Sequence, residues 1–256
     1  MTLSNKTILI VGASSGIGRA VALKLAINNN RLIISARRQA ELESLKLEIT
    51  KLGSECLIMC CDALSESQSK QAIEKSIDAF GIIDVALLNV GDGPSFNMSK
   101  STVAEITNNM DINYTTMVSF LVPLIAHMKV NKSGLIAHTN SLAGFIGLPM
   151  QGPYSAAKAA CRILIDTCRI ELKPFGIKFV SAYPGFVATE RVADDGIPAP
   201  FEISEDIAAN YIVRAIEKEK SDYLFPFVTG ALIRLARVLP KAILGWVLGK
   251  SVPADY

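Results

Sequence analysis

Short apolar runs alternate along this chain with longer stretches whose apolar residues recur every three or four positions. TILIVG (7–12), RLIISA (31–36), ECLIMCC (55–61), IDVALLN (83–89), GLIAHTN (134–140) and GIKFVSAYP (176–184) are too short for helices and are bounded by glycine or polar residues, which predicts buried strands. Between them SSGIGRAVALKLAINN (14–29), AELESLKLEITKLG (40–53) and SQSKQAIEKSIDAFG (67–81) carry the helical period, the last two closed by glycine. Further helices are predicted over 101–129, 153–173 and 204–220, the last with Ser204 as N-cap and Glu205 and Asp206 in its first turn. DYLFPF (222–227) opens a short final strand. Such alternation implies a parallel sheet with helices on both faces, an α/β doubly wound fold. No repeat or linker interrupts it, so residues 1–226 read as one domain and 227–256 as a helical extension.

Composition narrows the picture. The chain has 256 residues, 50% of them hydrophobic, enough for one sizeable core. A formal net charge of +2 offers nucleic acid no clustered basic surface. The five cysteines form no CxxC pair and only two histidines are present, so zinc ligand spacings are missing and no metal is expected. Reduced, buried thiols are the simpler expectation. The first residues run straight into a strand pattern with no secretory signal, and no run of about twenty apolar residues occurs, which places the chain in the cytoplasm by expectation.

The turn after the first strand is GASSGIG, with glycines at 12, 16 and 18. Its GxxxGxG spacing differs from GxGxxG, but the physics is shared. Positions without side chains let backbone N–H groups approach a pyrophosphate, and the following helix N-terminus favours its charge. Gly12, Ser14, Ser15, Gly16, Ile17 and Gly18 are therefore candidate cofactor residues. At the end of the second strand, where an acid would read the ribose of NAD, the sequence is SARR, with no carboxylate and with Arg37 and Arg38 instead. A guanidinium pairs with a 2′-phosphate and stacks on adenine, so NADP(H) is expected over NAD(H). The alternative is that both arginines are solvated loop residues.

Taken in order, GASSGIG (12–18), Asp62, LLNVG (87–91), Asn113, Ser141, YSAAK (154–158) and PGFVAT (184–189) resemble the short-chain dehydrogenase/reductase family over about residues 6–225. The resemblance implies a Rossmann-type, seven-stranded parallel sheet, an NAD(P) cofactor and reversible oxidoreduction of an alcohol or carbonyl. It implies that Asp62 lies near the adenine and that Asn89 and Gly91 line the ribose region. It gives Asn113, Ser141, Tyr154 and Lys158 the catalytic roles, and Pro184, Gly185, Val187 and Thr189 the nicotinamide segment. It further implies a homodimer or homotetramer through the helices near 101–129 and 153–173. Val11, Val90 and Asn140 depart from the residues usual in the family at those positions.

Tyr154 and Lys158 stand four apart, on one helix face. A free phenol titrates near pH 10, and an adjacent ammonium favours the phenolate. Within the resemblance Tyr154 exchanges a proton with the substrate oxygen and Ser141 hydrogen-bonds that oxygen. Lys158 also holds the nicotinamide ribose, and Asn113 holds a water that links Lys158 to solvent. A protein that binds the dinucleotide but has lost turnover is the competing reading, and the complete set of four argues against it.

On the substrate side, Phe145, Leu148 and Met150 are expected to form an apolar wall, with 186–204 as a lid contributing Val192 and Ile197. Such a pocket suits a small hydrophobic ketone, aldehyde or alcohol. In the last thirty residues Arg234, Arg237, Lys241 and Lys250 are spread among apolar residues, with Pro240 dividing the stretch. A helix pair over the cleft or on a neighbouring subunit is the favoured expectation. Contact with an anionic membrane surface by a reductase of lipid-like carbonyls is the alternative.

Overall fold

Every apolar run forms a strand. In a computed structural model, which describes residues 1–189 and 199–252, the strands are β1 (Thr7–Val11), β2 (Arg31–Ala36), β3 (Glu55–Cys60), β4 (Val85–Leu88), β5 (Gly134–Thr139), β6 (Ile177–Pro184) and β7 (Asp222–Phe225). They make one seven-stranded parallel sheet in the order β3-β2-β1-β4-β5-β6-β7. The helices are α1 (Gly16–Ala26), α2 (Gln39–Lys51), α3 (Glu66–Phe80), α4 (Val103–Met110), α5 (Thr116–Asn131), α6 (Gly152–Glu171), α7 (Glu205–Glu217), α8 (Phe227–Val238) and α9 (Lys241–Gly249).

Alternation along the strands sorts the core into two layers. Ile8 and Ile10 of β1 pack with residues of α1, α2 and α7, whereas Leu9 and Val11 pack with residues of α3, α5 and α6. Helix starts follow side-chain chemistry. Ser65 caps α3 by accepting from the Gln68 N–H, Ser204 caps α7 by accepting from the Ile207 N–H, and Thr102 and Glu105 form a capping box on α4. Each such cap contributes about 1 kcal/mol.

Three sequence expectations change. The helix expected over 101–129 is α4 and α5 joined by a π-helical turn, Asp111–Thr115, which carries Asn113. β3 is the sheet edge, so it is only partly covered and Cys60 is exposed rather than buried. Cys61, Cys161 and Cys168 are buried, Cys56 is half-buried, and all five are free thiols. Finally, Val187–Ala188 pairs with Ile203–Ser204 in a short parallel ladder, which joins the two ends of the expected lid. Val192 and Ile197 lie outside the described residues.

Two connections leave β1 and β4 in opposite directions, so a crevice opens between their C-terminal ends. Gly12 turns out of β1 at φ +84°, and the Asn89 amide at the end of β4 donates to the Gly12 carbonyl at 3.4 Å. α1 seats on this turn so closely that a Cβ at Gly18 would lie 2.1 Å from the Gly12 oxygen. Gly18→Ala is therefore expected to cost about 1–3 kcal/mol by forced backbone displacement. A fall in the urea midpoint with unchanged slope measures it.

Candidate active site

A continuous cleft of about 940 Å³ runs along the C-terminal ends of the strands, from the glycine turn to the C-terminal helices. The cleft brings together most of the residues singled out in the sequence. Gly12, Ser14, Ser15, Gly16 and Ile17 line its nucleotide end, with Arg37, Arg38 and Asp62 beside them. Asn89, Gly91, Ser141, Tyr154, Lys158, Pro184, Gly185, Val187 and Thr189 line its middle, and Leu148 and Met150 its apolar end. Gly18 sits behind the turn. Asn113 stands one layer back, fully buried, and Phe145 does not line the cleft.

The nucleotide end fits a dinucleotide. α1 begins at Gly16 with no acidic residue in its first turn and no side chain capping its N–H groups, which leaves them to meet an anion. Arg38 folds back over the turn, and its guanidinium donates to Ser14 Oγ at 3.0 Å and Ser15 Oγ at 2.5 Å. Ser35 and Ala36 precede the exposed Arg37, so no carboxylate stands at the end of β2.

The central wall is built from β5 and α6. Asn140, buried at the end of β5, donates from Nδ2 to the Lys158 carbonyl at 3.1 Å and accepts from the Ser141 N–H at 2.8 Å. One amide thus ties the serine to the helix that carries Tyr154 and Lys158. The Ser141 Oγ accepts from the Ala143 N–H at 3.2 Å, which leaves its own proton to donate outward. Lys158 is only 3% exposed, donates to the Thr139 carbonyl at 3.2 Å, and holds Nζ 5.6 Å from the centre of the Tyr154 ring. The tyrosine ring lies against Gly93, where a Cβ would come within 3.2 Å of it.

Asn113 fixes the strand end from behind. Its Nδ2 donates to the Asp92 carbonyl at 2.7 Å and its Oδ1 accepts from the Asp92 N–H at 3.1 Å, pairing with that backbone as a strand would. Gly91 leaves the space this requires, since a Cβ there would meet Asn113 Oδ1 at 2.7 Å and Lys158 Nζ at 2.8 Å.

Phe145, expected in the substrate wall, turns the other way. Its ring centre lies 4.7 Å from that of Tyr183 and 5.1 Å from the guanidiniums of both Arg162 and Arg237. The cation from α8 thereby bridges to the turn that follows Ser141. Burial and the Asp222 carboxylate beside it hold the Tyr183 hydroxyl well above its ordinary titration range, so that phenol stays neutral. Sequence reasoning missed Asp92 and Gly93 on the floor of the cleft, and Leu232, Leu235, Leu244, Val247 and Leu248 on its far wall. The sequence placed a helix pair over the cleft or on a neighbouring subunit, but singled out none of these side chains.

Comparison with known proteins matches the geometry. The family described as short chain dehydrogenase matches residues 6–196. The chain belongs to the short-chain dehydrogenase family. An uncharacterized oxidoreductase of Myxococcus xanthus is 30% identical over 94% of this chain and 95% of its own. A 3-ketodihydrosphingosine reductase of Bacteroides thetaiotaomicron is 28% identical over 88% of this chain and 81% of its own. Among solved structures, an alcohol dehydrogenase of Thermococcus sibiricus complexed with 5-hydroxy-NADP is 26% identical, with a TM-score of 0.77 over 86% of this chain and 95% of its own. A family member of Burkholderia phymatum in complex with NAD shares the fold, with a TM-score of 0.84 at 21% identity over 92% of this chain and 94% of its own. This short-chain dehydrogenase is accordingly an oxidoreductase that binds a dinucleotide.

Behind the site lies His138, buried on β5 between Leu88 and Ser181 of the flanking strands, with neither ring nitrogen bonded to a described residue. Burial first, and the Lys158 charge second, hold its titration well below the ordinary histidine range. An unfolded histidine takes up a proton near pH 6.5 whereas His138 stays neutral, so stability is level above that range and falls as pH drops through it, by at most about 1.4 kcal/mol per unit. Burial lowers His127 as well, in a less enclosed setting. His138→Phe should flatten most of this slope in urea unfolding followed from about pH 7.5 to 5.

Proposed function

We propose that the enzyme interconverts a hydrophobic ketone or aldehyde and its alcohol, with NADP(H) as redox partner and Tyr154 as proton donor and acceptor. The observation behind this reading is the convergence of Ser141, Tyr154 and Lys158 on one stretch of cleft, between the nucleotide turn and an apolar end. When bound, the dinucleotide supplies or takes up the hydride.

Ser141 orients the substrate oxygen with its free hydroxyl proton, which the Ala143 N–H makes a better donor. Tyr154 gives that oxygen a proton on reduction and removes one on oxidation. Lys158 has three donors, of which Thr139 takes one, so the ammonium can serve both the phenol and the ribose hydroxyls. Asn113 acts as a positioning residue, through the Asp92 backbone, and does not itself line the cleft.

The preference for NADP(H) rests on two arginines and no acid at the end of β2, with Arg38 already anchored on the Ser14 and Ser15 hydroxyls. The substrate class rests on the apolar end of the cleft, with Leu148, Met150 and the inward residues of α8 and α9. The names of the sphingosine-type reductase and of an 11-beta-hydroxysteroid dehydrogenase of Pinus massoniana point to large apolar substrates in those relatives. Exposed Val103, Val122, Ile163 and Ile170 on α4, α5 and α6 support a homo-oligomer. Five free thiols fit a reducing cytoplasm.

Two measurements test the reading. Tyr154→Phe should keep NADPH binding, followed by nicotinamide fluorescence, while turnover over a panel of apolar ketones falls by roughly 10²–10⁴. Tight NADPH binding by the unaltered protein with no turnover on any carbonyl or alcohol would favour the silent binding module instead. Arg37→Asp should weaken NADPH by roughly tenfold or more, the loss of a charge-assisted contact, with NADH little changed. An unchanged ratio removes the phosphate-reading assignment.

A further inference from the structure

α8 and α9 are amphipathic in an inverted sense. Their inward residues, Ile233, Ala236, Leu239, Leu244 and Leu248, face the cleft. Their outward stripes are apolar too: Phe227, Val228, Ala231, Leu235 and Val238 follow one another at helical spacing on α8, and Ile243, Trp246 and Val247 on α9. Phe227 is 80% exposed, Val238 77% and Trp246 67%, an arrangement that costs solvation free energy unless something covers it. Leu235 and Val247 belong to both the stripe and the cleft lining, so the patch is continuous with the cleft mouth.

Charge selects the cover. No Asp or Glu occurs between Asp222 and Asp255, while Arg234, Lys241 and Lys250 stand beside the stripe residues in the chain and Arg237 is engaged on the Phe145 ring. A second copy seated by twofold symmetry would bring these cations against themselves, and the segment that carries them supplies no acid of its own to offset them. An anionic surface matches them. Lys250 Nζ sits 3.8 Å from the centre of the Trp246 ring, placing a charge and an amphipathic aromatic side by side, the pairing suited to a headgroup layer. No described helix is long and apolar enough to cross a membrane, so the pair would lie in the interface plane.

We propose that the outer stripes of α8 and α9 dock this protein on an anionic lipid surface, with the apolar mouth of the cleft facing the bilayer. The docking stands on exposed apolar residues and charge. That the mouth then draws an apolar carbonyl from the lipid rests on the function proposed above.

Co-sedimentation of the full chain with vesicles tests the docking apart from activity. Binding is expected to vesicles of phosphatidylcholine mixed with phosphatidylglycerol, to be weak on phosphatidylcholine alone, and to fall as salt rises. Arg234→Ala and Lys241→Ala should each weaken it roughly fivefold, the contribution of one basic residue at a charged surface. Phe227→Ser combined with Val238→Ser and Trp246→Ser should weaken it more than roughly tenfold, since three buried apolar side chains are lost, while NADPH binding, none of whose candidate residues is touched, stays intact. No binding to the anionic vesicles at low salt overturns the proposal, as does equal binding by the triple variant. It is also overturned if the triple variant lowers the particle mass by light scattering while neither form binds vesicles, since the stripes would then be a subunit contact. Ketone turnover without vesicle binding would leave the function standing and the docking rejected.

Discussion

A buried ammonium sets the terms for the rest of the site. Removing a charge from water is costly unless polar groups replace the lost hydration, and Lys158 is nearly inaccessible, with the Thr139 carbonyl the one hydrogen-bond acceptor among the described residues. The ends of β4 and β5 have to be shaped around it. Gly91 supplies room, Asn113 holds the Asp92 backbone in place beside that room, and Asn140 fastens the lysine's own helix to the serine. The parallel sheet makes this arrangement natural, because it delivers several strand ends and helix starts to one edge. Under the function proposed above, its remaining protons go to the phenol and to the ribose hydroxyls of the cofactor.

The periodicity of the chain made the sheet legible. Strand limits agree with the apolar runs to within a residue or two, because the runs inside the sheet are buried on both faces and only the two edge strands are partly exposed. The order of GASSGIG, Ser141 and YSAAK made the cleft legible for a related reason, since each lies where a strand meets a helix. Less was legible where a partner in space decides the outcome. Phe145 is an apolar residue after the serine, and nothing in its neighbourhood announces Arg162 and Arg237 on either side. Cys60 resembles a core residue until the strand order puts β3 at the sheet edge. The π-helical turn carries Asn113 to the Asp92 backbone, a contact across twenty-one residues of chain that no local pattern announces.

The C-terminal helices show how one segment can serve two surfaces. Among the sequence alternatives, packing over the cleft is what their inner residues do, yet the outer stripes remain uncovered. Pro240 is the reason both are feasible. It separates α8 from α9, so two short helices can each turn one side toward the cleft and the other away, where a single straight helix would offer one continuous stripe to each.

The aromatic ring gripped by two guanidiniums carries a mechanical corollary. Arg162 lies one helical turn beyond the lysine, Arg237 lies on α8, and the ring between them is four residues past the serine. Entrance and reaction centre are thus parts of one linkage: a load that lifts α8 pulls on the loop that aims the serine hydroxyl, and a well-seated α8 steadies it.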